Sequence, residues 1–179
     1  MADTYTLNVA GLTRDLTICP VNEKIDIAAF VMFSDVELTV ATATELVKKI
    51  PECDVLITAE SKGIPLAYEM ARQLGIKYIV SRKSIKAYMR EPIAVKVNSI
   101  TTAGTQTLYL DRNEADYIAG KRVVIVDDVI STGESIIAVE TLVNAAKGNI
   151  VGKCAVLAEG DAADRTDIIF LEKLPLFFK

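Results

Sequence analysis

Short apolar runs rich in β-branched residues alternate along the chain with stretches whose apolar residues recur at helical spacing. Residues 54–58 predict a buried strand, and residues 65–74 predict a helix that Gly75 ends. Residues 122–126 repeat the apolar strand, and a second helix of the same spacing follows and ends at Gly148. Strand, loop and helix in this order predict an α/β fold, with a mainly parallel central sheet flanked by helices.

Weaker patterns surround these two units. Residues 36–50 predict a helix that ends at Pro51. Further strands are predicted at residues 76–80, 93–97, 106–110 and 154–158. A polar stretch with one glycine joins the second and third of these strands, and we interpret residues 97–106 as a long hairpin or flap. The length of 179 residues is usual for one domain, so residues 1–179 are expected to form a single domain.

The sequence contains no histidine. This excludes Ser-His-Asp and Cys-His nucleophile systems, imidazole base catalysis and histidine-bound metals. Any catalysis must therefore use carboxylates, lysine or arginine, hydroxyls, backbone N–H groups or hydrated Mg²⁺. The formal charge of −4 also argues against a general nucleic-acid surface, so a nucleic-acid partner is not expected.

Three cysteines form no C-x-x-C pair and leave an odd one out, which favours reduced thiols over disulfides or a zinc site. No apolar run approaches the roughly 18 residues that a membrane-spanning helix needs. The first five residues also lack the basic start and apolar stretch of a signal peptide. We therefore expect a cytoplasmic protein that does not contact the membrane.

Two acidic residues, Asp127 and Asp128, directly follow the predicted strand 122–126. In an open α/β sheet, ligands bind at the carboxyl ends of the strands. The small and hydroxyl residues that come next lead into a helix, so that backbone N–H groups and the helix dipole converge on one anion site. That loop is Ser131, Thr132, Gly133, Glu134 and Ser135. An acidic pair that can bind a diol, next to a monophosphate site, describes a ribose 5-phosphate. A strand-end turn with an ordinary helix cap is the alternative interpretation.

The segment from Val123 to Ser135 resembles the signature of the type I phosphoribosyltransferase family: an apolar strand, two acidic residues and a phosphate loop that contains Thr-Gly. The resemblance implies that fold, with a small hood from about residues 1–30 and 159–179 and a flexible flap. It implies that Asp127 and Asp128 bind the ribose hydroxyls and Mg²⁺, the metal mostly through water and ligand, and that the loop 131–135 binds the 5-phosphate. A homodimer is implied as well.

The same resemblance implies a reaction. Ribose 5-phosphate would pass from 5-phosphoribosyl 1-pyrophosphate (PRPP) to a nucleobase, giving a nucleoside 5′-monophosphate and pyrophosphate in salvage. A purine base is expected, with adenine favoured. The chemistry suits a chain without histidine, because electrostatic stabilisation of an oxocarbenium-like centre and an anionic leaving group would do most of the catalysis.

Basic residues at two other strand ends resemble the pyrophosphate contacts of the family. Glu60-Ser61-Lys62-Gly63 is similar to the pyrophosphate loop, which often carries a strained or cis non-proline peptide bond. Arg82-Lys83-Ser84-Ile85-Lys86 has the R-K-x-x-K spacing of adenine-specific members. The implied pyrophosphate-binding residues are Ser61, Lys62, Gly63, Arg82, Lys83 and Lys86. Lys62 and Lys86 would act with the aspartate pair in catalysis. A solvated turn lysine and a solvated basic face are the alternatives.

The string Arg14-Asp15-Leu16-Thr17 resembles an R-D-[I/V]-T string that lines the purine in adenine-specific members. It implies base binding by Arg14, Asp15 and Leu16, to which we add Val129. A chance match of four residues is the alternative.

The predicted flap departs from the adenine-specific pattern. Those members carry a sequence close to S-Y-x-L-E-Y-G, whereas this chain has Ser99-Ile100-Thr101-Thr102-Ala103-Gly104. The missing glutamate leaves a second function open, namely a non-catalytic PRPP-binding regulator of transcription or RNA. A two-component receiver domain fits less well, because it would place its acidic pair near the N-terminus.

Overall fold

The computed structural model describes residues 3–98 and 105–179, without the side chains of residues 97, 98, 105 and 106. The strands are β1 (Thr4–Val9), β2 (Leu12–Pro20), β3 (Ile25–Ala28), β4 (Val55–Ala59), β5 (Lys77–Ser81), β6 (Ile93–Asn98), β7 (Thr105–Leu110), β8 (Arg122–Ile130), β9 (Asn149–Glu159), β10 (Ile169–Leu174) and β11 (Leu176–Phe178). The helices are α1 (Val36–Val47), α2 (Ile64–Leu74), α3 (Arg112–Ile118) and α4 (Glu134–Ala145), with a 3₁₀ helix at Gly160–Asp164. No helix of the described residues is long and apolar enough to cross a membrane.

A five-stranded parallel sheet in the order β10-β9-β8-β4-β5 forms the centre of the fold. Successive side chains of its strands point to opposite faces. Val55 and Ile57 of β4 pack in one apolar cluster with Leu142 of α4, whereas Leu56 packs in another with Met70 of α2. Both faces are thus covered by helices, which explains the continuous apolar runs. The predicted α/β class is confirmed.

A second, antiparallel sheet in the order β1-β2-β3-β11 forms the hood. Its side chains Leu7, Val9 and Leu16 are buried in the same cluster as Leu56, so the hood packs on the central sheet. The C-terminal part differs from the expected hood of residues 159–179. β10 pairs with β9 in the parallel sheet, and only β11 pairs with the hood strand β3.

The strand β8 is longer than predicted. It runs to Ile130, so that Asp127 and Asp128 lie within the strand and not after it. The physical reason is pairing with β9, which continues to Ile130 opposite Ala158 and supplies backbone partners beyond the apolar run.

Several other elements agree with the expected pattern, and others were missed. The hairpin of β6 and β7 is present, and residues 99–104 of the expected flap lie outside the described residues. α1 ends at Val47 and not at residue 50. α3 and β10 were not predicted, because each is short and gains its stability from packing on neighbours distant in sequence.

Candidate active site

The strands β4 and β8 separate at their carboxyl ends. Their pairing is confined to Val55–Ile57 and Val123–Ile125, after which each chain continues alone. The chain leaves β4 towards β5 on one side and leaves β8 towards β9 on the other. Such a reversal of strand order is where open α/β sheets bind ligands. A polar cleft of about 270 Å³ lies at this point. Its lining consists of Ala59, Glu60, Ser61, Lys62, Lys83, Asp127, Asp128, Val129 and Ser135.

The acidic pair lies at the floor of the cleft. The backbone N–H of Asp128 donates to Oδ1 of Asp127 at 2.9 Å. Nζ of Lys62 lies 3.2 Å from Oδ2 of Asp128, although the geometry of this ion pair is not that of a hydrogen bond and this buried oxygen has no hydrogen-bond partner among the described residues. Burial and the neighbouring Asp128 carboxylate raise the pKa of Asp127. Oδ2 of Asp128 can therefore still accept from a hydrogen-bond donor or bind a cation that a ligand supplies.

The loop after β4 approaches β8 closely because residue 63 is glycine. A β-carbon added at Gly63 would lie 2.5 Å from Oγ1 of the buried Thr58 and 3.4 Å from Cα of Asp127. The peptide bond between Glu60 and Ser61 is cis, as the resemblance led us to expect of this loop. Since Ser61 and Lys62 line the same cleft as the aspartates, the loop faces the acidic pair.

Glu60 organises the basic segment after β5. Its Oε2 accepts from the backbone N–H of Lys83 at 3.1 Å, and its Oε1 lies 3.2 Å from Nη1 of Arg82 and 3.6 Å from Nζ of Lys86. The N–H of Lys83, and to a lesser extent the nearby cations, lower the pKa of Glu60. Sequence analysis had assigned Glu60 no role, because a single acid beside a basic loop has no distinctive pattern. The structure brings Lys83 to the cleft wall with Lys62.

The start of α4 forms a smaller pocket of about 90 Å³. Its lining includes all five residues of the predicted phosphate loop and shares Asp127, Val129 and Ser135 with the cleft. Gly133 adopts the left-handed backbone conformation, with φ of 81°, that favours glycine. Gly133, at the N-cap position of α4, has no side chain to accept from the first turn, and Oγ1 of Thr132 accepts from the backbone N–H of Glu134 at 3.5 Å. The backbone N–H groups of a helix start are a favourable site for an anion.

A third, largely apolar pocket of about 260 Å³ lies between the hood and the central sheet. It shares Lys62 and Val129 with the cleft, and Ser131 with the phosphate loop. The remaining lining residues are Ile27, Ala28, Ala29, Phe30, Val31, Glu159 and Leu174. Of the whole lining of this pocket, sequence analysis assigned only Val129 to the base, because the hood segment and the end of β9 meet only through the tertiary fold.

The other predicted base-binding residues lie elsewhere. Arg14 donates from Nε to Asp35 at 2.7 Å and from Nη2 to Glu37 at 2.7 Å, which ties β2 to the start of α1. Asp15 accepts from Thr6, and Leu16 is buried in the core. None of the three lines the apolar pocket between the hood and the central sheet.

Comparison with known proteins places the chain in a family. Residues 34–173 match the model of the phosphoribosyl transferase domain. The chain is 37% identical over 124 residues to the hypoxanthine/guanine phosphoribosyltransferase of Methanococcus voltae, covering 69% of this chain and 63% of that protein. It is 30% identical over 113 residues to the purine biosynthesis transcriptional repressor PurR of Bacillus subtilis, covering 63% of this chain and 39% of that protein. The alignments therefore span less than two thirds of either relative.

Comparison with solved structures shows a similar fold. An adenine phosphoribosyltransferase from Thermoanaerobacter pseudethanolicus has a similar structure, with a TM-score of 0.73 at 24% identity over 88% of this chain and 95% of that one. The chain thus belongs to the phosphoribosyltransferase family and has the type I fold of that family.

Proposed function

We propose that this protein transfers ribose 5-phosphate from PRPP to a purine base and releases pyrophosphate. One observation supports the proposal: the polar cleft, the pocket at the start of α4 and the apolar pocket adjoin one another, because Val129 lines all three. PRPP has a pyrophosphate on C1 and a phosphate on C5 of a sugar that carries a diol, and the base must reach C1. In this proposal the polar cleft binds the ribose and the pyrophosphate, the pocket at the start of α4 binds the 5-phosphate, and the apolar pocket binds the base.

In this assignment Asp127 and Asp128 bind the ribose hydroxyls and the pyrophosphate lies against Ser61, Lys62 and Gly63. Lys83 contacts the pyrophosphate directly, whereas Arg82 and Lys86, which pair with Glu60, balance its charge from the cleft edge. The leaving group gains negative charge as its bond to C1 breaks, so these cations stabilise the transition state more than the ground state. The base attacks C1 from the opposite face.

The acidic pair also fits Mg²⁺. The buried Oδ2 of Asp128, which lacks a hydrogen-bond partner among the described residues, is a hard oxygen ligand beside a second carboxylate. No cluster of three or more metal-binding side chains occurs in residues 3–98 and 105–179, which suits an ion held mostly by water and by the donor. Asp127 and Asp128 would hold the ion, which would neutralise charge on the pyrophosphate.

The apolar pocket is the proposed base site. Phe30 and Val129 offer apolar surface to a planar ring, and the Glu159 side chain, which is 9% exposed, brings a carboxylate into the lining. A carboxylate accepts hydrogen bonds, so it can accept one from the exocyclic amino group of adenine or guanine. Adenine is therefore our preferred acceptor, with guanine next. Our assignment uses the pocket lining and not Arg14, Asp15 and Leu16.

The test is an assay of pyrophosphate release from PRPP against adenine, hypoxanthine, guanine, xanthine, orotate and uracil. We expect transfer to a purine, and greatest kcat/KM with adenine. Glu159→Gln keeps the size of the side chain and adds a donor, so it should lower kcat/KM for adenine relative to hypoxanthine. Transfer to orotate alone would contradict the purine assignment.

A PRPP-binding regulator is the second candidate. The chain lacks a glutamate between residues 97 and 106, and the Bacillus subtilis repressor aligns with it over 113 residues. A protein that binds PRPP tightly in calorimetry, yet transfers ribose phosphate to none of the six bases, would support the regulator and overturn the enzyme.

Binding of Mg²⁺ and PRPP is expected to tighten as the pH rises from 7 to 9. Burial and Asp128 raise the pKa of Asp127 to about 8, whereas a bound cation favours the ionised pair. The free protein must therefore lose a proton on binding, and affinity should rise by about tenfold over this range. Phosphate groups have already lost their second proton above about pH 7, so they add little. Calorimetry in buffers of different ionisation enthalpy measures the released proton. Asp127→Asn should abolish both the release and the slope, and a pH-independent wild type would contradict the assignment.

A further inference from the structure

Arg165 lies against the phosphate loop, although it is some 30 residues further along the chain and follows the 3₁₀ helix Gly160–Asp164. A β-carbon added at Gly133 would lie 2.6 Å from Nη1 of Arg165. Nη1 of Arg165 therefore lies close to the loop at its glycine, near the first turn of α4. No motif in the sequence indicates this contact.

The guanidinium group is held in a fixed orientation. Its Nε donates to Oδ1 of Asp167 at 2.9 Å and its Nη2 donates to Oδ2 at 2.8 Å. Lys153 in turn donates to Oδ2 of Asp167 and to Oε1 of Glu140 on α4, each at 2.6 Å. This network uses two of the three guanidinium nitrogens. The third, Nη1, has no hydrogen-bond partner in the described part of the chain and is the atom nearest Gly133.

Two sources of positive charge meet at the loop. The N-terminus of a helix carries about half a positive charge. The guanidinium group of Arg165 adds a second, although it pairs with Asp167, and Lys153 pairs with Asp167 and Glu140. Glu134 supplies one carboxylate in the first turn of α4. A phosphate dianion on the loop would add the charge that both the helix and the guanidinium group favour.

We propose that Arg165 is a binding residue for the 5-phosphate of PRPP, donating from Nη1 to a phosphate oxygen while Asp167 holds the guanidinium in place. This role rests on the proposed function, because it assumes that the loop 131–135 receives the phosphate. It adds a cation to a site that sequence analysis built only from backbone N–H groups and hydroxyls.

The experiment compares wild type, Arg165→Gln and Arg165→Lys in calorimetry with ribose 5-phosphate, PRPP and pyrophosphate. A hydrogen bond to a charged group contributes enough that Arg165→Gln should weaken ribose 5-phosphate and PRPP about ten- to hundredfold. Pyrophosphate, which has no 5-phosphate, should bind as before. Arg165→Lys should recover part of the affinity, since it keeps the charge but not the paired geometry. Arg72→Gln is the matched control, because the exposed Arg72 makes the same paired contact with Glu69 of α2.

A pH series separates direct contact from mere support of the loop. The 5-phosphate gains its second charge near pH 6, so wild-type affinity for ribose 5-phosphate should rise between pH 5 and 7. That rise should be smaller in Arg165→Gln, whereas a support role would lower affinity equally at each pH. Equal affinity in wild type and Arg165→Gln, or an equal rise with pH, would overturn the inference. A wild type that binds none of the three ligands would instead overturn the proposed function.

Discussion

Replacing Asp127 and Asp128 together with asparagine is expected to lower kcat/KM for ribose phosphate transfer at least about a hundredfold, while the free protein melts no lower than wild type. The activity falls because asparagine keeps the volume but cannot balance Mg²⁺ or accept from the ribose hydroxyls as strongly. The stability rises or holds for an electrostatic reason. The folded-state pKa of Asp127 is raised, so the folded protein keeps a proton that the unfolded chain releases above about pH 4. Removing the pair removes that cost, and melting at pH 7 should rise by a few degrees.

Asp54→Asn provides a control for which the opposite change in melting temperature is expected. Asp54 lies at the other end of β4, and Arg122 lowers its pKa to about 2 by hydrogen bonding. A lowered folded-state pKa contributes stability above the unfolded value, and that stability is lost as the pH falls through the folded value. Asp54→Asn should therefore melt below wild type at pH 7 and keep its transfer activity. A large loss of melting temperature in the double variant, without ligand, would make the aspartate pair structural.

Lys62→Gln is expected to weaken PRPP and pyrophosphate about ten- to hundredfold and ribose 5-phosphate far less. Lys62 is a half-exposed cation whose Nζ lies 3.2 Å from Asp128, and it lines both the polar cleft and the apolar pocket. It also lowers the pKa of Asp127, so its removal should move the pH dependence of donor binding to higher pH. Calorimetry with the three ligands between pH 7 and 9 measures both effects.

Lys48→Gln is the matched control for this variant. Lys48 is similarly exposed and forms an ion pair with Glu45 at 2.6 Å on the surface of α1. It should leave all three affinities and the pH dependence unchanged. If Lys62→Gln bound pyrophosphate as tightly as wild type and its pH dependence did not move, the loop after β4 would not be the pyrophosphate site.

The continuous segment from Val123 to Ser135 could be interpreted from sequence because its chemistry is local. The apolar run defines a buried strand, the two acids follow at once, and the hydroxyl and glycine residues start the next helix. The same holds for Lys62 and Gly63 after β4. Local periodicity and helix-start preferences depend on neighbours within about one turn or one strand, so they can be recognised in the sequence.

The tertiary structure decided what residues distant in sequence make together. The hood joins β11 from the C-terminus to β3 from the N-terminus, and β8 continues past Val126 only because β9 pairs with it. Pairing of this kind depends on long-range contacts that no local pattern encodes. The apolar pocket, which Phe30 after β3 and Glu159 at the end of β9 both line, and the contact of Arg165 with Gly133 have the same origin. The sequence by itself therefore determined the proposed phosphate loop and the acidic pair, whereas the apolar pocket proposed for the base and the contact of Arg165 with the loop arose only when separate segments packed against one another.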